Sequence, residues 1–451
     1  MSLSHTLGGP SRCGRVLGPS LDKIIKNAAW RKHSHLVSSC KSVLDKLETL
    51  YDSSSPDPSS PLFGLSPSDA DSVLQPLLFS LDTAYGKVLE PSLDCTFKLF
   101  SLSLLRGEIH SSASDSCLYR LIYSVCKVAG IGEEPVELAV LRVLLAAVRS
   151  PCVLIRGDCL LHVVRTCYNV YLGGHSGTNQ ICAKSVLAQI VLIVFARAEE
   201  DSLHVSFKSI SVSELLAFTD KNVNEGSSVQ FCQGFVNEIV AASEGAPSSD
   251  IKLSLQTQVP PMRNGEGDEK GDEAFDGADS HSGGSSSSKI REDAFLLFKN
   301  LCKLSMKFSS QEDPDDQILI RGKTLSLELL KVVIDNGGPI WRSNDRFLNA
   351  IKQYLCLSLL KNSALSVMSI FQLQCSIFIS LLSKFRSVLK AEIGIFFPML
   401  VLRVLENVLQ PSFLQKMTVL NLLEKISQDS QLIIDIFVNY DCDVDSPNIF
   451  E

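Results

Sequence analysis

Along most of this chain apolar side chains return every three or four residues, the spacing of one helix face, and seldom alternate as they would in a strand. Cys40, Val43, Leu44 and Leu47 stand at i, i+3, i+4 and i+7. The first helix is expected to begin at Ser20, a side chain able to cap a helix, placed directly after Pro19. Further helices are predicted over 72–89, 91–105, 116–128, 136–148, 153–172 and 181–198, with shorter ones over 212–219 and 228–242. In the 153–172 segment Leu160, Val164, Cys167, Tyr168 and Tyr171 share a face. After a long polar gap the pattern resumes, with helices over 291–308, 317–335, 344–360, 364–385, 393–409, 412–427 and 432–439.

The gap, residues 243–288, is rich in Gly, Ser, Asp and Glu and nearly empty of large apolar groups, so it cannot bury enough surface to offset its ordering entropy. Read as a disordered tether, it would span about 35–40 Å root-mean-square and leave the geometry of its two ends open. The organisation expected is a flexible N-terminus over 1–18, a helical block over 19–242, the acidic linker over 243–288 and a second block over 289–451. A short Ser/Pro/Asp stretch at 52–60 separates the first helix from the rest of its block. Helices of this length with short polar connections pack as antiparallel neighbours. No strict repeat is present, so the fold class is all-α, an irregular armadillo/HEAT-like α-solenoid in two blocks.

Composition supports this and removes alternatives. At 451 residues and 45% hydrophobic, the chain is long enough for more than one packed unit and too apolar to be disordered throughout. The net charge of −8 speaks against a general nucleic-acid binder. The linker, however, holds nine acidic and three basic residues, so the two blocks together are nearly neutral and a membrane surface stays open to them. The 14 Cys include no C-x-x-C pair, and no secretory signal opens the chain, which reads as a cytosolic protein with reduced, mostly buried thiols. Residues 362–383 carry no charge and are long enough to span a bilayer, but their Asn, Gln and six serines suit a core helix better. Residues 181–195 are strongly apolar and suit either a core helix or a dimer interface.

Candidate chemistry is sparse. Arg321-Gly322-Lys323-Thr324 ends like a phosphate loop, but Gln317 stands where the first glycine is required and no strand precedes it. Gly173-Gly174-His175-Ser176-Gly177 is a turn between helices, and no G-x-S-x-G elbow occurs. Cys159 and His162 share a helix face near Cys167, without a second cluster to complete a zinc site. Asp441, Asp443 and Asp445 begin like a calcium loop that then fails at Ser446. Ser446 and Pro447 instead read as the start of a new helix, as though this were the N-terminal portion of something longer. No catalytic, metal or cofactor site is expected. The basic run Trp30-Arg31-Lys32-His33, with Lys23, Lys26 and Lys41 nearby, reads as a basic helix. A solvated face explains it, while Lys26, Trp30, Arg31 and Lys32 could also touch an anionic membrane or an acidic partner.

Several long stretches carry a resemblance. They are Gly18-Pro19-Ser20-Leu21-Asp22-Lys23-Ile24-Ile25-Lys26-Asn27-Ala28-Ala29-Trp30-Arg31-Lys32-His33, then 138–149 and Thr166-Cys167-Tyr168-Asn169-Val170-Tyr171, then 293–309, 321–339 and 396–415, and finally Asn439-Tyr440-Asp441-Cys442-Asp443. In these the chain resembles the large brefeldin A-inhibited guanine-nucleotide exchange factors for Arf GTPases, most closely the plant members. The resemblance implies that the first block is a dimerisation and cyclophilin-binding (DCB) domain. The second would be a "homology upstream" (HUS) domain ending in its signature box, Asn439 to Asp443. It implies a non-catalytic regulatory part upstream of a Sec seven-type exchange domain, with no exchange residue to carry over.

The implied partners are a second copy through the first block, an intramolecular contact between blocks, and Arf or related small GTPases. The implied place is the cytoplasm, peripheral on trans-Golgi network and endosomal membranes. Tyr168, Asn169 and Tyr171 are candidate interface residues of the first block. Tyr440 is amphipathic, and Asp441 and Asp443 at a helix end sit poorly with its dipole unless a cation receives them. The box is therefore expected to pack on the first block or on the exchange domain. The competing expectation is an unrelated helical-repeat adaptor scaffold in protein transport.

Overall fold

The computed structural model describes residues 7–29, 31–55, 57–173, 176–217, 226–242, 288–307, 317–363, 365, 367–406, 411–446 and 448–449. The first helix, α1 (Arg12–Asn27), begins well before Ser20, so residues 12–18 belong to the folded block and not to a flexible N-terminus. Its cap is Ser11, whose hydroxyl accepts from Gly14 N at 3.2 Å, and Asp52 accepts from Arg12 N at 3.1 Å. Ahead of it, residues 7–9 cross α1 so closely that a Cβ on Gly18 would meet Leu7 O at 2.5 Å, and Gly8 adopts a φ of +99° that favours glycine.

Prolines mislead at two places. Pro19 and Pro91 lie inside α1 and α4 (Gly86–Ser101) and not at helix starts, while Pro76 lies inside α3 (Pro67–Leu81) as it does in the expected helix. A proline inside a helix orphans the carbonyl four residues back. In α4 that carbonyl, Lys87 O, accepts instead from Asn27 Nδ2 at 2.8 Å. The single helix expected over 72–89 is accordingly split between α3 and α4, with Ala84 at φ 51° in the turn.

After α2 (Ser34–Thr49), α3 and α4, the first block continues through α5 (Cys117–Val128), α6 (Glu134–Arg149), α7 (Gly157–Gly173), α8 (Gly177–Glu200), α9 (Val212–Leu215) and α10 (Gly226–Ala242). The 153–172 segment is not one helix. Val153–Ile155, all buried, forms strand β2, which pairs in parallel with β1 (Gly107–Ile109) in the register Gly107↔Val153 to Ile109↔Ile155. A three-residue apolar run has no period to separate strand from helix, so only the partner strand decides it.

The second block comprises α11 (Lys289–Ser305), α12 (Gln317–Asn336), α13 (Ile340–Ser343), α14 (Asp345–Ala350), α15 (Cys356–Asn362), α16 (Met368–Phe385), α17 (Lys390–Phe397), α18 (Arg403–Glu406), α19 (Phe413–Ser427) and α20 (Ser430–Ile436). The α14–α15 and α17–α18 pairs are each joined by a π-helical turn, and another follows α20. Ser412 and Gln415 form a full capping box on α19.

The helices stack in two rows. One runs α1, α4, α6, α8, α12, α16 and α19; beside it lie α2, α3, α5, α7 and α11, each helix packed on its neighbours. The sheet is two short strands, so the architecture is an all-α solenoid. Its keystone is α8, which packs on α6, α7, α10, α11 and α12. Both α8 and α16 are long and apolar enough to cross a membrane. In α8 the 181–195 stretch is buried but for Leu192 and packs among those five helices as a core helix. Arg197 of α8, buried, donates to Val148, Arg149 and Ser150 carbonyls at 2.6–3.0 Å, closing the C-terminal end of α6.

The polar segment, Ser288 apart, lies outside the described residues. The helices on its two sides pack directly on one another, α8 on α11 and α12 and α7 on α11, so packing and not tether length sets the geometry between the blocks.

Candidate functional site: the seam between the two blocks

Where α7 and α8 meet α11, α12 and α13, polar and aromatic groups are concentrated. Lys184 Nζ lies 2.6 Å from Glu328 Oε1, with the two side chains only 1% and 3% exposed. Burial pushes the Lys184 ammonium below its usual range, against the pull of Glu328, and pushes the Glu328 carboxyl above its own, against the pull of Lys184. At the other end of the seam Asp293 accepts from Gly157 N at 2.8 Å, at the start of α7, and from Arg156 Nε at 3.2 Å. Burial is the larger influence on Asp293 and raises its carboxyl, while those two donors lower it. Trp341, fully enclosed on α13, packs its ring between Phe195 of α8 and Phe298 of α11, with centroids 5.3 and 5.0 Å away.

The tyrosines singled out in the sequence meet here. Tyr168 donates to Gly322 O at 2.7 Å, and Tyr171 O accepts from Arg321, whose guanidinium stacks over the Tyr171 ring. Asn169, between them, is exposed. The Arg321-Gly322-Lys323 run that fails as a phosphate loop is thus a seam element. Arg321 reaches the first block, Gly322 admits the Tyr168 hydroxyl, and Lys323 is buried against Ser305 O and Asn362 Oδ1. A methyl group at Gly322 would stand 2.6 Å from that hydroxyl. Gly322→Ala is expected to weaken the seam by about 1–3 kcal/mol, and by less in a Tyr168→Phe background where the clashing atom is gone. Thermal unfolding of the two single variants and the double variant tests this; full additivity would refute it.

The segment Asn439–Asp443 lies away from the seam. Tyr440, 4% exposed, donates to Lys390 O at 2.8 Å, Asp443 forms an ion pair with Lys390, and Asp441 accepts from Ile449 N at 3.1 Å. Asn439 donates to Asp435 O, and Cys442 is exposed. Among the described residues these contacts fold the segment on α17 of its own block. The cation that its helix-end carboxylates require is supplied by Lys390, a residue distant in sequence. The Lys390 ammonium, Asp445 N and the Ser446 hydroxyl hold Asp443 down to about 2 from its ordinary 3.8. A depressed carboxyl stabilises above its unfolded value and ceases to as pH falls through the folded one. Amide exchange protection over 437–446 is therefore expected to hold above about pH 4 and to fall toward pH 2. In Lys390→Met that pH step is expected to shrink, with Asp445 N and the Ser446 hydroxyl left to hold Asp443.

The basic run is not a helix face. Arg31 and Lys32 are exposed in the turn between α1 and α2, Lys26 is paired with Asp22 at 2.6 Å, and Trp30 lies outside the described residues. His162 stacks on Tyr123 with centroids 5.4 Å apart, and among the described residues no group of three His, Cys, Asp or Glu side chains is placed to hold a metal.

Comparison with known proteins gives this geometry a family. Residues 11–202 match the profile of the Mon2/Sec7/BIG1-like dimerisation and cyclophilin-binding domain, and residues 290–449 that of the Mon2/Sec7/BIG1-like HUS domain. The whole chain is 72% identical to brefeldin A-inhibited guanine nucleotide-exchange protein 1 of Arabidopsis thaliana, covering 26% of it, and all of it aligns at 70% identity with protein 4 of that plant, covering 27%. With protein 1 of Homo sapiens the identity is 27%, over 96% of this chain and 31% of the relative. The chain thus spans about a quarter to a third of the length of these relatives, and its two helical blocks belong to the Mon2/Sec7/BIG1-like family as its DCB and HUS domains.

Proposed function

We propose that this chain is the regulatory, non-catalytic N-terminal part of an Arf guanine-nucleotide exchange factor. In this reading it mediates self-association through the DCB block, autoregulation, and recruitment to trans-Golgi and endosomal membranes during vesicle budding. The observation that supports it is the pairing of a DCB and a HUS domain in one chain, in which α8 of the first is packed against α11 and α12 of the second. A rigid double block suits a device that passes a binding event at one end to a domain attached at the other, because packed elements move as units. Arf or a related small GTPase and the Golgi membrane surface are the partners in this reading. Arg31 and Lys32, exposed in the α1–α2 turn, with Lys26 and Trp30 nearby in sequence, are its candidates for the lipid contact, and the box around Tyr440 is its candidate for the exchange domain.

The test has two parts. Added to Arf–GDP, the purified chain is expected not to accelerate nucleotide release. By light scattering it is expected to self-associate, and in a pull-down it should bind the exchange domain of a full-length relative. Clear exchange by the chain alone, or a monomer that binds no exchange domain, overturns the proposal.

A further inference from the structure

Beside the buried Lys184–Glu328 pair, α8, α12, α13 and residues 205–215 enclose a cleft of about 650 Å³, within the range of sites that hold a ligand or a peptide side-chain cluster. Its apolar walls include Val191, Leu192, Phe195, Val332 and Trp341. Its charges are mostly negative: Glu199, Glu200, Glu214, Glu328 and Asp335 face it, against Lys208 and Lys331. Lys331 is already committed to Asp335 on its own helix.

Two of the carboxylates are incompletely used. Glu328, 3% exposed, gives Oε1 to Lys184, while its Oε2 is buried without a hydrogen-bond partner among the described residues. Glu199 repeats the arrangement: one oxygen accepts from Ile340 N at 2.9 Å, and the other is buried without a partner among the described residues. These oxygens have no exposed surface, so they act on the cleft through the negative potential they set behind its wall and not by contact.

We propose that this cleft is a docking site for a segment of a partner protein that presents a lysine or arginine flanked by apolar side chains. The cation meets the exposed carboxylates of Glu200 and Glu214 at the mouth, with Glu199 and Glu328 behind them strengthening the negative potential. The flanking apolar groups cover Phe195, Val332 and Trp341. An acidic segment meets a cleft of net negative charge, in which Lys331 is already paired with Asp335, and is rejected.

The test uses the full chain and a labelled synthetic amphipathic peptide of leucine and lysine, compared with the same peptide carrying glutamate for lysine. Anisotropy reports binding. Trp341 emission in a Trp30→Phe background reports where the peptide binds. The lysine peptide is expected to bind and to shift Trp341 emission, and the glutamate peptide to do neither. Joint Glu199→Gln and Glu214→Gln substitution is expected to weaken binding by about tenfold or more. Ala196→Phe, which fills the cleft without changing its charge, is expected to have a similar effect while Glu90→Gln, distant on α4, has none. No binding of the lysine peptide, equal binding of both peptides, or binding untouched by the cleft variants overturns the proposal. The last result would mark a diffuse charge effect.

Discussion

Replacing Lys184 with Met is expected to destabilise the protein by about 3–5 kcal/mol, because it leaves the Glu328 carboxylate charged, buried and unpaired. The double replacement Lys184→Met/Glu328→Leu is expected to recover that loss and to match or exceed the parent, since two apolar side chains of similar volume pay no desolvation. Urea midpoints at constant slope measure both. The single variant also has a pH signature. Burial raises the Glu328 carboxyl above its ordinary 4.5. A raised group contributes its full stability below the unfolded value and loses it as pH rises through the folded one. Lys184→Met is therefore expected to regain stability as pH is lowered toward 4.5, where Glu328 binds a proton on folding. A single variant that costs less than about 1 kcal/mol, or a double variant as unstable as the single, would remove the pair from the centre of the seam.

Trp341→Ala is expected to cost about 3–5 kcal/mol by opening a cavity between three aromatic rings of two blocks. The location of the loss matters as much as its size. Trp341 touches Phe195, Phe298 and Phe347, so amide exchange should rise in α8, α11 and α14 while α1 and α4, at the far end of the solenoid, keep their protection. Trp341→Phe, which keeps an aromatic ring, is expected to lose less. Uniform loss of protection would mean that the blocks unfold as one unit. Loss confined to the second block would mean that Trp341 does not couple the two.

Helix existence was legible because it is a local property: periodicity and a capping residue such as Ser412 lie within a few residues of what they determine. Errors fell where a local cue has a distant solution. Pro19 and Pro91 read as helix starts, yet the carbonyl that Pro91 orphans is satisfied by Asn27, far back along the chain. Val153–Ile155 reads as helix until β1 supplies a partner. Tyr168 and Tyr171 stand out through a family resemblance, and Arg321 and Gly322 lie in another stretch that carries it, but nothing local marks the four as partners.

Taken by itself, then, the amino-acid sequence determined an all-α chain in two helical blocks, an acidic segment between them, and the family to which both blocks belong. These follow from side-chain periodicity, from composition and from long runs of shared residues, all of which are written along one dimension. Only the tertiary structure decided that the blocks share a seam, that Lys184 and Glu328 meet in it, that Lys390 receives the carboxylate of Asp443, and that an acidic cleft lies alongside. The physical reason is that a buried charge is tolerable only beside its partner, and here the partners are separated by many residues of chain. Which residues become neighbours depends on how whole helices pack, not on the pattern within any one of them.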